Sequence, residues 1–359
     1  MENLNPANLG LLGSILVFVV ASVIVWTGGV RLARGADALA DKARLGHAYV
    51  GIFLLGAMVS LPEMTFSSVA AARGNADIAV NGLLGGIGMA MVVIAITDCV
   101  VGKEALSADI QRPVVMFQGA MVILMLTFAA AGIVVGDMLL PVVGLAGLWT
   151  VALAALYVIT MLAVKRIEPR SPWKADRVQI RESRREKAKA DDAKAASEKE
   201  KQRGLGAIVI STGLAALAVV AASTMLAFCA EVIAQETGLG DGFVGFMFGG
   251  IATTLPELST TVAAARLRQF EMAFSDSFGT NLCSTGLIFV ADALYRKGPI
   301  LNEVDAFSLF GTLLGIALTA IYVAGLVVRS KRSILRMGID SIILVIVAVS
   351  GFAALYSLS

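Results

Sequence analysis

Two short motifs in this sequence could do chemistry. Leu61-Pro62-Glu63 and Leu255-Pro256-Glu257 each set a carboxylate directly after a proline inside an otherwise apolar run. A carboxylate at membrane depth costs at least ~2.5 kcal/mol and marks a functional site by default. Proline lacks an N–H and crowds the carbonyl four residues back. Those carbonyls belong to Met58 and Ala252. Each helix is therefore expected to be interrupted within a turn of its proline, freeing backbone oxygens that persist only inside protein or beside a cavity. The hydroxyls of Ser60, Thr253 and Thr254 lie just ahead of the glutamates. Carboxylates, hydroxyls and carbonyls are hard oxygen ligands, suited to Ca²⁺ or Na⁺ and not to zinc or copper. Glu63 and Glu257 are the expected metal ligands. Further on, Asp276, Thr280 and Ser284 recur at i, i+4 and i+8 and form one polar stripe on a helix, with Asn281 beside it.

The two motifs belong to a longer repeat. At a constant offset of 194, residues 55–98 match 249–292 without a gap. Gly56 meets Gly250, Ala79 meets Ala273, Gly85 meets Gly279 and Asp98 meets Asp292, while Ser60 pairs with Thr254 and Asp77 with Glu271. The stripe of the second copy has Gly82, Gly86 and Ala90 as its counterpart in the first. Small residues there allow close helix approach but offer no side-chain ligand. The site is thus expected to be lopsided, drawing more on the second copy.

The elements that must position these groups are apolar. Of 359 residues 57% are hydrophobic and 16% charged, against about 25% charged in a soluble domain. Ten stretches can be read as spans: 10–30, 47–72, 76–97, 113–135, 138–164, 206–231, 243–265, 272–292, 305–328 and 338–357. The expected fold is all-α, with ten transmembrane helices arranged as two inverted five-helix repeats, since an odd number of spans separates the two copies. The first span has no A-x-A site after it and is expected to stay as an anchor. The segment 165–205 differs. From Lys165 to Arg203 it carries 14 Lys/Arg and 8 Asp/Glu, net +6. It divides the chain into membrane units 1–164 and 206–359. With this linker in the cytoplasm, 26 of the 29 Lys and Arg face that side, leaving Arg73, Arg296 and Lys297 opposite. That bias follows the positive-inside rule and puts both termini outside.

Other function classes are poorly supported. A net charge of +2 gives no ground for a nucleic-acid partner. No H-E-x-x-H, nucleophile elbow or catalytic Asp pair points to an intramembrane enzyme, and no D-x-D-x-D-G loop makes the linker a calcium site. Cys99, Cys229 and Cys283 sit in apolar runs without CxxC spacing and read as core-packed thiols. His47, the single histidine, begins the second span and reads as interfacial. Asp98 and Asp292 end their helices at matched positions, and Glu231 could draw cations to an entrance.

The paired motifs resemble the α-repeats of the cation/calcium antiporter superfamily, the sodium/calcium exchangers. The resemblance is carried by Val59-Ser60-Leu61-Pro62-Glu63-Met64 with Ala76-Asp77-Ile78-Ala79-Val80-Asn81-Gly82, and by Thr253-Thr254-Leu255-Pro256-Glu257-Leu258 with Gly279-Thr280-Asn281. It implies a secondary-active antiporter of the inner or plasma membrane that exports Ca²⁺ in exchange for Na⁺ by alternating access, with no bound cofactor. Ca²⁺/H⁺ exchange, and a non-transporting sensor on the same scaffold, are the alternatives. The ion site it implies comprises Glu63, Glu257, Ser60, Thr253, Thr254 and Thr280, and Asp276 and Ser284 join them from the stripe. The chain departs from the pattern at Val59, at Gly85-Gly86-Ile87 and at Ala90. The partners expected are small inorganic cations and the lipid bilayer; oligomeric state is left open.

Overall fold

The computed structural model describes residues 10–42, 58–101, 105–110, 112–138, 146–167, 204–266, 268–330, 332–334 and 337–359. Ten helices of twelve residues or more follow one another there. They are α1 (Gly10–Lys42), α2 (Leu61–Ala72), α3 (Ala76–Val101), α4 (Pro113–Val135), α5 (Leu148–Ile167), α6 (Leu205–Thr237), α7 (Gly250–Arg266), α8 (Phe270–Leu294), α9 (Ala306–Val328) and α10 (Ile339–Leu358). One helical turn, Asp241–Phe243, and a π-helical turn, Val244–Gly249, lead into α7. A two-residue hairpin pairs Ser333–Ile334 with Met337–Gly338.

Local signals set several boundaries. Asn75 Oδ1 accepts from the Ile78 N–H at 2.9 Å and starts α3. Asp305 caps α9 by accepting from Phe307 N–H at 2.9 Å, and Pro113 opens α4, where its missing N–H costs nothing. Gly238, at φ +71°, closes α6 in a left-handed conformation that glycine adopts without strain.

The expectation of ten transmembrane helices in two inverted five-helix repeats does not hold. Among the described residues seven helices are long and apolar enough to cross a membrane: α1 through Ala36, α3, α4, α5, α6, α9 and α10. The chain is an all-α, multi-pass integral membrane protein, but α2, α7 and α8 fall outside that set for physical reasons. Over Leu61–Ala72, α2 has 12 residues, about 18 Å at 1.5 Å per residue. With 17 residues α7 reaches about 26 Å, and it carries a glutamate, a serine and four threonines. α8 is long enough at 25 residues, but Glu271, Asp276, Asp292 and its Ser, Thr and Asn side chains dilute its hydropathy. The three helices that hold the candidate ligands are thus the three least suited to meet lipid. Residues 43–57, which include His47 and the start of the second expected span, lie outside the described residues, as does the linker between 168 and 203.

The core forms around α3, whose residues 78–91 are all buried. Helix α7 crosses it at glycines. A Cβ on Gly250 would stand 2.6 Å from the Gly85 carbonyl carbon, and one on Gly85 would stand 2.6 Å from the carbonyl carbon of Phe246. Only hydrogen fits there, so the two backbones meet directly, as small residues permit in membranes. Beside this crossing the Phe246 ring packs edge-on against Phe307 and Phe352 at 6.3 and 6.0 Å. Helices α1 and α6 lie together and expose Leu16, Val20, Leu214 and Leu217, the outward apolar surface that a bilayer covers.

Candidate cation site

Glu63 and Glu257 come together in the interior. Each is 2% exposed. Glu63 is third in α2, just after a turn at Ser60 breaks the helical path. The backbone there continues through a bond from Met64 N–H to the Ser60 carbonyl at 2.9 Å. Glu257 follows Pro256, and here the expected interruption fails: α7 runs unbroken from Gly250 to Arg266 with Pro256 inside it. The irregular turn lies upstream, at Val244–Gly249. Two hydroxyls fold back onto the turn ahead of the proline. Thr253 Oγ1 donates to the Gly249 carbonyl at 3.1 Å and Thr254 Oγ1 to the Gly250 carbonyl at 2.6 Å. The Pro256 ring also abuts α1, where a Cβ on Gly29 would stand 2.5 Å from its Cγ. The Ala252 carbonyl, buried one turn ahead of Pro256, loses its helical donor because proline has none.

The other expected ligands distribute unevenly around the pair. Thr253 neighbours the Glu63 carboxyl, and Thr280 neighbours Glu257. Thr254 Oγ1 lies on the side of Gly86: a Cβ there would be 3.8 Å from it and 4.0 Å from Glu63 Cγ. Asp276 also faces this region. Thr260 Oγ1, which donates to the Glu257 carbonyl at 3.0 Å, lies 3.2 Å from Asp276 Oδ2. Glu257 therefore feels the charges of both Glu63 and Asp276. Ser284 is buried two turns beyond Asp276 on α8. Asn281 is occupied otherwise, donating to the Ile87 carbonyl at 3.3 Å.

Three of the pair's four carboxylate oxygens lack donors. Glu63 Oε2 and both Glu257 oxygens are buried without a hydrogen-bond partner. Leaving such groups unpaired costs several kcal/mol.

Some residues escaped the sequence reading. Cys283, taken as a core thiol, adjoins the Ser60 and Tyr157 side chains and feels both glutamates. Its place three residues after Thr280 was a usable signal. Thr260, one turn after Glu257, was another. Nothing in the sequence singles out Tyr157. Of the remaining thiols Cys229 is buried, but Cys99 is exposed, against the expectation of core packing. Asp98 and Asp292 are structural. Asp98 accepts from the N–H groups of Leu106 and Gly338, and Asp292 from those of Ile300 and Gly147 and from Thr150 Oγ1. Glu231 is paired with Arg73 at 2.7 Å, so its charge is locally compensated.

Residues 13–165 and 207–351 both match the family model described as sodium/calcium exchanger protein. The chain belongs to that family. It is accordingly a secondary-active cation antiporter and not an enzyme, and its partners are small inorganic cations and the bilayer. The inner membrane protein YrbG of Escherichia coli (strain K12) is 23% identical over 290 residues, spanning 81% of this chain and 82% of that one. Solved structures share the fold at low identity. Native YfkE gives a TM-score of 0.63 at 14% identity, covering 98% of this chain and 97% of that one. The H⁺/Ca²⁺ exchanger CAX gives 0.62 at 12%, covering 95% and 88%. The sodium-calcium exchanger NCX_Mj, in 10 mM Na⁺ without Ca²⁺, gives 0.58 at 15%, covering 95% and 98%.

Proposed function

We propose that this antiporter exports Ca²⁺ in exchange for Na⁺, binding the ions between Glu63 and Glu257. One observation carries the reading: three carboxylate oxygens are buried without donors beside the hydroxyls of Thr253, Thr254 and Thr280. Two glutamates together supply the charge that a divalent ion neutralises, and their oxygens are of the kind Ca²⁺ prefers. Ser60, Asp276, Ser284 and the Met58 and Ala252 carbonyls are assigned to the same ion pathway. The solved structures of similar fold include a sodium-calcium exchanger and an H⁺/Ca²⁺ exchanger.

Proton exchange is the second reading, and a specific feature favours it. The first repeat offers Gly86, Ile87 and Ala90 where the second offers Thr280, Asn281 and Ser284. Fewer oxygen ligands mean fewer sodium sites, and two glutamates can carry protons unaided. ⁴⁵Ca²⁺ uptake into proteoliposomes, driven in turn by a Na⁺ gradient and by a pH gradient, separates the two. Uptake driven by Na⁺ alone supports the first reading, and uptake driven by pH alone replaces it with the second.

The organisation proposed with this function is two membrane units, 1–164 and 206–359, joined by the basic linker 165–205 on the cytoplasmic side; the expectation of both termini outside rested on ten spans and is not carried over to the seven. Labelling of single cysteines placed in the linker and near each terminus, by an impermeant maleimide on intact cells, checks that orientation.

A further inference from the structure

Away from the glutamates, four carboxylates gather at the membrane face that carries Arg73 and Lys297. Asp77 opens α3, Asp241 opens the turn leading into α7, and Asp305 caps α9; Glu303 stands two residues before Asp305, and the charges of Asp305, Asp241 and Glu303 all reach Asp77. Aspartates at helix starts have an ordinary role, offsetting the partial positive charge of the helix end. The magnitudes show that this role does not use them up. Three helix starts contribute roughly +0.5 each, and Lys297, which donates to the Gly74 carbonyl at 3.0 Å, adds one more charge nearby. Against four carboxylates, that leaves about −1.5. Arg73 is engaged by Glu231. The matching acid in the second repeat, Glu271, instead pairs with Arg112 at 2.8 Å.

A second feature lies under the cluster. Asn81 sits one turn below Asp77 on the same side of α3, and helix side chains lean toward the N-terminus, here toward Asp77. Its Nδ2 donates to Ser308 Oγ at 2.8 Å, and a Cβ on Gly242 would stand 3.1 Å from it. Ser308 and Gly242 belong to the segments that bear Asp305 and Asp241. Asn81 is wholly buried, yet its Oδ1 has no partner. Free oxygens also remain above it. Asp241 uses Oδ2 for Asn75, and Asp305 uses Oδ1 for Phe307, so each has a second oxygen in reserve.

Among the described residues no three acidic, histidine or cysteine groups close on one point as metal ligands. A cation there must keep most of its water shell. We propose that Asp77, Asp241, Glu303 and Asp305 form a docking site for hydrated divalent cations, with Asn81 at its floor, separate from the transport site. It lies nine residues up α3 from Gly86, about 13 Å. It holds ions at the surface and raises their local concentration, as a focused negative field does.

Hexaamminecobalt(III) tests this directly, because its ammonia ligands do not exchange and it binds only through its outer shell. Purified Glu63→Gln/Glu257→Gln protein, with the proposed transport ligands removed, is titrated with it by calorimetry, and Ca²⁺ is then added as competitor. One saturable site displaced by Ca²⁺ is expected. Adding Asp77→Asn and Glu303→Gln should weaken it by at least about tenfold, the effect of removing two of four charges from a trivalent ion. These two side chains are chosen because Asn75 and Asp305, not they, accept the capping bonds of α3 and α9, and a retained melting temperature verifies the fold. No saturable binding, or binding unchanged by the two substitutions, overturns the proposal. Either result leaves the transport reading intact, since its own ligands are absent from the experiment.

Discussion

Asn281 Nδ2 donates to the Ile87 carbonyl at 3.3 Å, and the two residues stand 194 positions apart, the offset that relates the two copies of the internal repeat. Each is therefore the other's counterpart. The copies meet at this point, and the asymmetry between them is visible in the bond itself: where the second copy offers an amide, the first offers only its backbone. Glu63 and Glu257, another pair at the same offset, approach each other beside it.

The glutamates are the first test. Glu63→Gln and Glu257→Gln should each cut transport by about a hundredfold or more, the loss that follows from removing a charged ligand worth ~3 kcal/mol. Gradient-driven ⁴⁵Ca²⁺ flux, with a matched elution profile in detergent, measures it. Substantial flux in either variant removes the residue from the site.

Asp276 adds a third carboxylate to the same field. Asp276→Asn should raise the KM for the transported cation several-fold while leaving the melting temperature within a few degrees. An unchanged KM and unchanged coupling ratio would assign Asp276 to the Thr260 contact alone.

Gly86 has room to spare, since a Cβ there meets only Thr254 Oγ1 at 3.8 Å and Glu63 Cγ at 4.0 Å. Gly86→Ser should fold normally and place a hydroxyl beside Glu63. The expected outcome is a steeper dependence of flux on Na⁺, read as a higher Hill coefficient. Identical Na⁺ curves in the variant and the parent would count against a ligand position there.

Gly85 and Gly279 are counterparts in the repeat but differ in surroundings. Gly85→Ala drives a methyl into the Phe246 backbone and should destabilise by about 1–3 kcal/mol, as overpacking does. At Gly279 nothing lies within 4 Å, so Gly279→Ala should be neutral or stabilising by up to ~1 kcal/mol through helix propensity. Thermal unfolding in detergent compares them; equal shifts would contradict the close crossing of α3 and α7.

Asp292 holds two N–H groups and a hydroxyl from two segments. Asp292→Ala strands the Ile300 and Gly147 donors at about 1–3 kcal/mol each. A large fall in melting temperature is expected, with a smaller one for Asp292→Asn, which keeps one acceptor oxygen. A transport defect without loss of stability would point to a role beyond anchoring.

Much of this was legible in the sequence, for a chemical reason. A carboxylate in an apolar run is so costly that Glu63 and Glu257 announce themselves, and the offset of 194 ties them into one repeat without any structure. Helical spacing likewise places Asp276, Thr280 and Ser284 on one stripe. Periodicity records what each residue prefers, and those preferences are local. The tertiary structure decided what depends on neighbours. Pro256 reads as a break, yet α7 runs through it with only the Ala252 carbonyl deprived of its helical donor, and Gly29 on α1 makes space for the ring. Apolar stretches read as ten spans, but the polar content and lengths of α2, α7 and α8 leave seven that meet the demands of lipid. Asp98 and Asp292 look like helix-end charges until backbone donors from distant segments close around them. Glu231 looks like a free acid until Arg73 arrives from 158 positions away. Hydrogen bonds and ion pairs of that kind join residues far apart in the chain, and no spacing rule encodes which distant group will fold against which.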